Sequence, residues 1–408
     1  MGRPRVIAAA LLAFFLVAAC DQPGPGVQRV SMKLTDSSTG FGLTLTDRLL
    51  AEPGAGNVFI SPLSATLALS MAASAAHGSS RTSILSALGL DPTVDPSAQA
   101  RQTIDRLIES DPNVQLELAQ AVWAAKGLTM NPQYVARLRG DYRAQIANLD
   151  FSSPGAPKVV NDWVDNATHH KISQLVDSFD AQTVAYLVNA TYFHALWATE
   201  FKAAGPADFH TFSGTSVGVP MMHREDGVTQ VATPDYRAAL LPYKGGRFSM
   251  LLLLPRAVLS PAGFSRFLTR AMWDQSLSLL HGAVGGMLGS GSCTGKSAGP
   301  DISAFCDGGL VMPKFKLDYS VELLPELVAM GMAPGATMPD LCGGCYITRV
   351  VQKTHLEIDE KGTTAAAATG VVGATALRLP MTVDRPFAIA LIDNASDAPL
   401  FLGVIGAL

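Results

Sequence analysis

Apolar positions follow two different periods along this chain. Before residue 184 they recur mainly at helical spacing; after it they come in short continuous runs. Asn57-Val58-Phe59-Ile60 reads as a short buried strand. Ser61 then suits a helix N-cap and Pro62 the first helical position, with Leu63, Leu67, Leu69 and Met71 as an apolar face and Gly78 as the stop. A second helix spans about Thr82 to Leu88 and closes at Gly89. Residues 101–109 and 131–140 also read as helical, and Val159, Val160, Trp163, Val164 and Ala167 repeat at helical spacing around a further helix. Val184 to Phe193 is nearly continuously apolar, as expected of a strand buried on both faces. Ser249–Leu254, Leu310–Leu317 and Val350–Ile358 are further strands, and Phe387–Ile392 and Leu400–Ile405 flank a hairpin loop at Asn394–Asp397. The Gly/Ser-rich stretch from Gly282 to Gly299 reads as a surface insertion, which extends to Cys306. Residues 57–408 hold no domain-type linker and no internal repeat, so the pattern predicts one large α+β domain.

One stretch fits neither period. Leu356 and Ile358 alternate with Glu357 and Asp359, as in a half-buried strand; then every side chain from Gly362 to Gly370 is small and uncharged. Such a segment has almost no bulk to anchor a core. It could slip between two strands without steric cost, with Thr363, Ala365, Ala367 and Thr369 on one face and Thr364, Ala366 and Ala368 on the other. Alanine runs are more often helix surface, because Ala has the best helix propensity. Here the flanks favour strand: a strand-like run precedes, Val371-Val372 follows, and no apolar partner stands at helical spacing.

The chain has 408 residues, 48% hydrophobic and 16% charged, enough for a large core and unlike a disordered protein. Its net charge is only -4 and no Lys/Arg cluster lies beyond the extreme N-terminus, which argues against nucleic-acid binding. Arg3 and Arg5 precede an apolar stretch from Val6 to Val17, so residues 1–19 read as a secretory signal. Leu16-Val17-Ala18-Ala19-Cys20 resembles a lipoprotein processing box, which implies cleavage before Cys20, acylation of that cysteine and attachment to a membrane surface. Residues 20–32 are then a lipidated tether, and the product is exported, in the cell envelope or extracellular space. An exported chain meets oxidising conditions, so Cys293, Cys306, Cys342 and Cys345 are expected in disulfides. Their pairing stays open: 293–306 with 342–345 is the local choice, and cross-pairing or a four-thiolate zinc site are weaker alternatives.

No assembled nucleophile and base can be read from the chain. Ser292-Cys293-Thr294-Gly295-Lys296-Ser297 resembles the end of a P-loop, but Ser290 stands where the first Gly is required. No H-E-x-x-H motif and no G-x-G-x-x-G motif occurs, and His169-His170, the one paired histidine, reads as a solvated helix face. No enzyme, cofactor or metal is expected.

The order of several specific motifs resembles the serpin family across residues 33–408. Asn57-Val58-Phe59-Ile60-Ser61-Pro62-Leu63-Ser64 comes first, then Asn161-Asp162-Trp163-Val164 and Leu187-Val188-Asn189-Ala190-Thr191-Tyr192-Phe193 leading to Trp197 and Phe201. Met312-Pro313-Lys314-Phe315, Glu360-Lys361-Gly362-Thr363, Arg385-Pro386-Phe387 and Pro399-Leu400-Phe401-Leu402-Gly403 follow. The resemblance implies three β-sheets, about nine helices and an exposed reactive-centre loop, residues 362–380. It also implies suicide inhibition of serine proteases by a monomer: the protease cuts the loop, is held as an acyl-enzyme, and is disabled when the hinge inserts into the main sheet. The hinge would be Glu360, Gly362, Thr363, Thr364, Ala365, Ala366, Ala367, Ala368 and Thr369. Counting from Gly362 puts the reactive bond at Ala376–Leu377; counting back from Arg385 puts it one residue earlier, at Thr375. A small residue there suits an elastase- or subtilisin-like pocket, whereas cleavage at Arg378 would suit a trypsin-like one. Ser61, Ser64, Asn189, Trp197 and Gln352 map to the region where the sheet opens, Gln352 standing where many members carry His. A non-inhibitory binding protein on the same fold is the alternative; small hinge residues favour inhibition.

Overall fold

The computed structural model describes residues 34–108, 113–180, 183–290, 296–299, 301–363 and 380–408. The first third runs α1 (Leu34–Ala51), β1 (Val58–Ile60), α2 (Pro62–Ala75), α3 (Gly78–Ala87), α4 (Ser97–Ile108), β2 (Val114–Ala125), α5 (Pro132–Gly140), β3 (Gln145–Leu149) and α6 (Ala156–Ala167). Then come β4 (Ala185–Leu196), β5 (Lys202–His210), β6 (Ser216–Ala232), β7 (Tyr236–Pro242), β8 (Phe248–Pro255), α7 (Pro261–Phe267) and α8 (Arg270–Ser290). The chain finishes with β9 (Lys296–Gly299), β10 (Ile302–Pro313), β11 (Phe315–Glu322), α9 (Leu324–Ala329), β12 (Val351–Ile358), β13 (Gly362–Thr363), β14 (Met381–Thr382), β15 (Phe387–Asp393) and β16 (Ala398–Ile405). Nine helices and three hydrogen-bonded sheets are thus present among the described residues, the α+β composition that the pattern predicts.

The largest sheet runs β1-β16-β15-β8-β7-β6-β10-β14, with β5 also on β6 and β9 on β10. Its centre is the core: β8, β15 and β16 are buried at every position, and α1 and α2 pack against β16. A second sheet has the order β13-β4-β2-β3, and a third contains only β11 and β12. Trp123, Val188 and Ala190 meet Val160 and Val164 of α6 on one face of the second sheet. Phe193 and Ala195 join the main core on its other face.

Several elements depart from the expectation. Gly78 does not end the second helix: α2 stops at Ala75, and Gly78 opens α3. The stop that needs glycine is Gly89, whose φ is +68°. The apolar run Leu310–Leu317 splits at Lys314, where the backbone leaves its ladder with β6 and joins β12. Gly282–Gly299 is not simply an insertion loop, because α8 carries on to Ser290 and β9 pairs with β10. Buried Trp273, Leu277 and Leu280 anchor the helix, and propagation from an anchored segment tolerates glycine at about 1 kcal/mol each. His169 and His170 lie beyond the α6 cap with φ of 49° and 63°, hydrogen-bonded to Glu117 and Asp165 rather than on a helix face. Helices and strands also interleave: β2 and β3 come early, and α7, α8 and α9 come late.

Cys342 and Cys345 form a disulfide, which removes the four-thiolate zinc alternative. Cys306 stands in β10; Cys20 and Cys293 lie outside the described residues.

Candidate functional site

Among the described residues, two sheets end in strands that face each other without a ladder. β4 pairs β2 on one edge, and β12 pairs β11 on one edge. Among those residues their remaining edges are joined where the turn after β12 delivers β13 to the end of β4, with Gly362 opposite Leu196 and Thr363 opposite Ala195. β4 is accordingly not buried on both faces, as its apolar run suggests; most of its residues are only half-buried. An unpaired edge inside a protein is a liability, since its N–H and C=O groups invite another strand. Below the junction a cavity of about 140 Å³ separates Leu187 and Asn189 of β4 from Val351 and Gln352 of β12.

The turn that closes the top is built from Asp359, Glu360, Lys361 and Gly362. The Asp359 carboxylate accepts from the amides of Lys361 (2.9 Å) and Gly362 (3.1 Å), and the Asp359 amide donates to the Gly362 carbonyl. Glycine is required by close approach: a Cβ on Gly362 would collide with the Ala195 carbonyl and lie 2.7 Å from Leu196 Cα. Trp197 clamps the turn. Its amide donates to the Lys361 carbonyl at 2.8 Å and its indole Nε1 to the Asp359 carbonyl at 2.9 Å. The ring is fully buried and stacks on Tyr243 at 4.5 Å. Glu360 accepts from Lys314 at 2.8 Å, and its carbonyl receives the Phe201 amide.

The start of α2 holds both edges from the core side. Ser61 caps the helix and Pro62 sets its first turn; the Ser61 carbonyl accepts the first helical bond from the Ala65 amide, which leaves the Ser61 amide and the carbonyl's second lone pair to bond elsewhere. Gln352 takes up that capacity with both ends of its amide: Oε1 accepts from the Ser61 amide and Nε2 donates to the Ser61 carbonyl, each at 2.9 Å. Ser61 Oγ donates to the Leu400 carbonyl. One turn along, Ser64 Oγ donates to Asn189 Oδ1 at 2.6 Å. Asn189 Nδ2 is buried with no partner, an unmet donor at the cavity wall. Burial raises the phenol of neighbouring Tyr186 to about 12, so it stays neutral at physiological pH.

Ser64, Asn189 and Gln352, widely separated in sequence, therefore line one cavity, Ser61 holds Gln352 from behind it, and Trp197 sits at the other end of the same edge. Glu360, Gly362 and Thr363 lie at the junction. Thr364, Ala365, Ala366, Ala367, Ala368 and Thr369, and the bond candidates Thr375, Ala376, Leu377 and Arg378, lie outside the described residues. Sequence reasoning missed Thr354, which donates to the Phe59 carbonyl at 2.6 Å, and gave no role to Lys171, a position the family resemblance includes after Val164, which reaches Glu357 at 3.2 Å. The alternation around Leu356 does mark Glu357 as outward-facing, but nothing local links it to a lysine 186 positions away.

A family model described as serpin (serine protease inhibitor) matches residues 36–406. The chain belongs to the serpin family. Its relatives include Iris of Ixodes ricinus, 31% identical over 398 residues that cover 92% of this chain and 99% of the relative. Leukocyte elastase inhibitor A of Mus musculus is 28% identical, covering 91% and 98%. Among solved structures, the thermophilic serpin tengpin in its native state matches with a TM-score of 0.75 at 23% identity, over 93% of this chain and 96% of that one. Human thyroxine-binding globulin complexed with its hormone matches with a TM-score of 0.77 at 23% identity, over 92% and 98%. At that identity the two structures share the serpin fold with this chain.

Proposed function

We propose that this serpin is a suicide inhibitor of a serine protease, with Ala376–Leu377 as the bond offered for cleavage. The observation that carries the reading is the pair of edges, β4 and β12, that have no ladder between them among the described residues, with the turn at Asp359–Gly362 feeding the chain between them. Continuing the β13 register sets Ala365 opposite Phe193, Thr369 opposite Asn189 and Val371 opposite Leu187. The same turn sets Thr369 opposite Gln352. Both sides agree on which residues face the core. Phe193 and Ala195 on β4, and Gln352, Thr354, Leu356 and Ile358 on β12, are buried there. Ala365, Ala367 and Thr369 would share that face without crowding it, and Thr369 Oγ would arrive beside the unmet Asn189 amide.

The protease serine attacks the Ala376 carbonyl; the C–N bond to Leu377 breaks, the new amine leaves, and Ala376 remains as the acyl ester. Cleavage releases the chain after Thr363 to run down the gap as a central strand. Each residue that enters makes ladder bonds on two sides. At about 1 kcal/mol net per bond, some nine residues supply on the order of 10 kcal/mol or more, enough to displace and distort the acylated protease. A small residue before the bond suits an elastase- or subtilisin-like pocket, and leukocyte elastase inhibitors among the relatives support that choice. Incubation with such a protease is expected to give a detergent-stable adduct, with a new C-terminus at Ala376 by mass spectrometry. Plain cleavage without an adduct would contradict the reading, and a terminus at Arg378 would move it to a trypsin-like target.

The proposal includes a leader at 1–19, a lipidated Cys20 with a tether to residue 32, and a monomeric serpin domain at 33–408 held at a membrane surface. Loss of labelling by a fatty-acid probe in Cys20→Ser is the expected check.

A further inference from the structure

A second set of bonds crosses the gap on the face away from α2, carried by the segment that follows α6. Residues 168–176 are fixed to the β2–β4 side. Asn161 of α6 accepts from the amides of Leu175 and Val176 and donates to the Val176 carbonyl, all within 3.0 Å. His169 pairs with Glu117 of β2 at 2.6 Å, and its ring lies 4.3 Å from that of Tyr192 on β4. From this base Lys171 Nζ reaches across to Glu357 Oε2 of β12 at 3.2 Å. In return Lys353 Nζ of β12 donates to the Gln174 carbonyl at 2.6 Å. The Glu357 side chain is 13% exposed and that of Lys171 32%, so the pair is shielded far better than an ordinary surface bridge.

Glu357 has a second cation, Lys316 Nζ at 2.6 Å, but Lys316 stands on β11, on the same side of the gap as Glu357. The two lysines therefore differ in what they join. Lys316 ties β11 to its own neighbour; Lys171 ties one half-sheet to the other. A strand entering between β4 and β12 must leave their axes about 9–10 Å apart, two strand spacings. The Lys171–Glu357 and Lys353–Gln174 contacts span that opening, so they must break or be carried along before the register can propagate past Thr364, the residue that would come to lie beside Glu357.

We propose that Lys171 is a positioning residue that sets the rate of strand entry. It acts as an electrostatic latch across the gap and thereby fixes how many attacks end in trapping and how many release active protease with cleaved inhibitor. This rests on the insertion step proposed above. The latch delays entry without touching the protease or the reactive bond, and its strength depends on charge, so it weakens with ionic strength.

The experiment compares Lys171→Met with Lys316→Met in the full protein, using two readouts. The first needs no protease: the rate at which a synthetic peptide of sequence Thr364–Val372 anneals to the intact protein, followed as a mobility shift on native gels. The second is the number of inhibitor molecules consumed per elastase-type protease inactivated. Lys171→Met is expected to anneal at least threefold faster and to consume fewer molecules per protease. Added salt should accelerate the native protein but not Lys171→Met. Lys316→Met should keep the native rate and the native salt dependence. Equal acceleration in both variants would show mere loosening and overturn the latch, as would no acceleration in Lys171→Met. If the native protein takes up no peptide and forms no adduct, the insertion reading itself fails, an outcome separable from failure of the latch alone.

Discussion

β8 and β4 are both long apolar strands, yet they occupy opposite situations. β8 is buried at all eight of its positions and hydrogen-bonded to β7 on one side and β15 on the other. β4 has β2 on one side and, below its last two residues, no partner strand among the described residues on the other. The first strand has satisfied its backbone and can gain nothing more. The second keeps polar groups in reserve, protected from foreign strands by α2 on one face, α6 and its following segment on the other, and the polar row Lys353, His355 and Glu357 along the facing β12. The molecule thus divides into a part that fixes the fold and a part that holds back folding energy.

The largest test of that division is a charge placed where the reserve would be spent. Ala367→Glu would put a carboxylate on the core face of the entering strand, opposite Thr191. Burying an unpaired ion costs several kcal/mol, enough to cancel most of the gain from insertion. The adduct with protease should fall at least tenfold while the melting temperature of the intact protein stays put. Phe387→Ala makes the opposite cut. Phe387 is fully buried in β15 against Phe209 and Phe315, and its loss should cost about 3–5 kcal/mol by calorimetry, equally before and after loop cleavage. A cost confined to one form would blur the division.

Smaller effects sharpen it. Gln352→Ala removes the acceptor of the buried Ser61 amide and should lower intact-protein stability by about 1–3 kcal/mol in denaturant titrations. Glu357 offers a pH test. Partial burial pushes its carboxyl up, but bonding and charge from Lys316 and Lys171 outweigh burial and hold it below the usual range. Its contribution is therefore complete at neutral pH and is lost as pH falls through that depressed value. Glu357→Gln should flatten the acid limb of the stability curve by less than about 1 kcal/mol, with little change above pH 6.

Local chemistry explains what could be read from the sequence. Ser61 and Pro62 mark the start of α2 because a cap and a first-turn proline act within one turn, and Leu356 and Ile358 mark β12 because alternation is local. β2 went unassigned although Val114, Leu116 and Leu118 alternate with Gln115 and Glu117 as in a half-buried strand, so it too was legible by a local pattern. The break at Lys314 was not: the residues on either side are equally strand-like, and only the change of partner separates β10 from β11. Family resemblance pointed to Ser61, Ser64, Asn189 and Gln352, but the meeting of the last three at one cavity depends on chain separations that no local pattern encodes. Lys171 stands in a family motif after Val164 and Glu357 in an alternating strand, but neither signal announces their pairing.

Differential scanning calorimetry of the intact protein against the protein nicked once between Gly370 and Leu379 tests the central claim most directly. A gain on the order of 10 kcal/mol in a serpin domain of this size corresponds to a rise of roughly 10–15 °C in Tm. The account predicts a rise of that order on nicking, with Phe387→Ala lowering both forms alike. An unchanged or lowered Tm would mean that no folding energy is held between β4 and β12, and would contradict it.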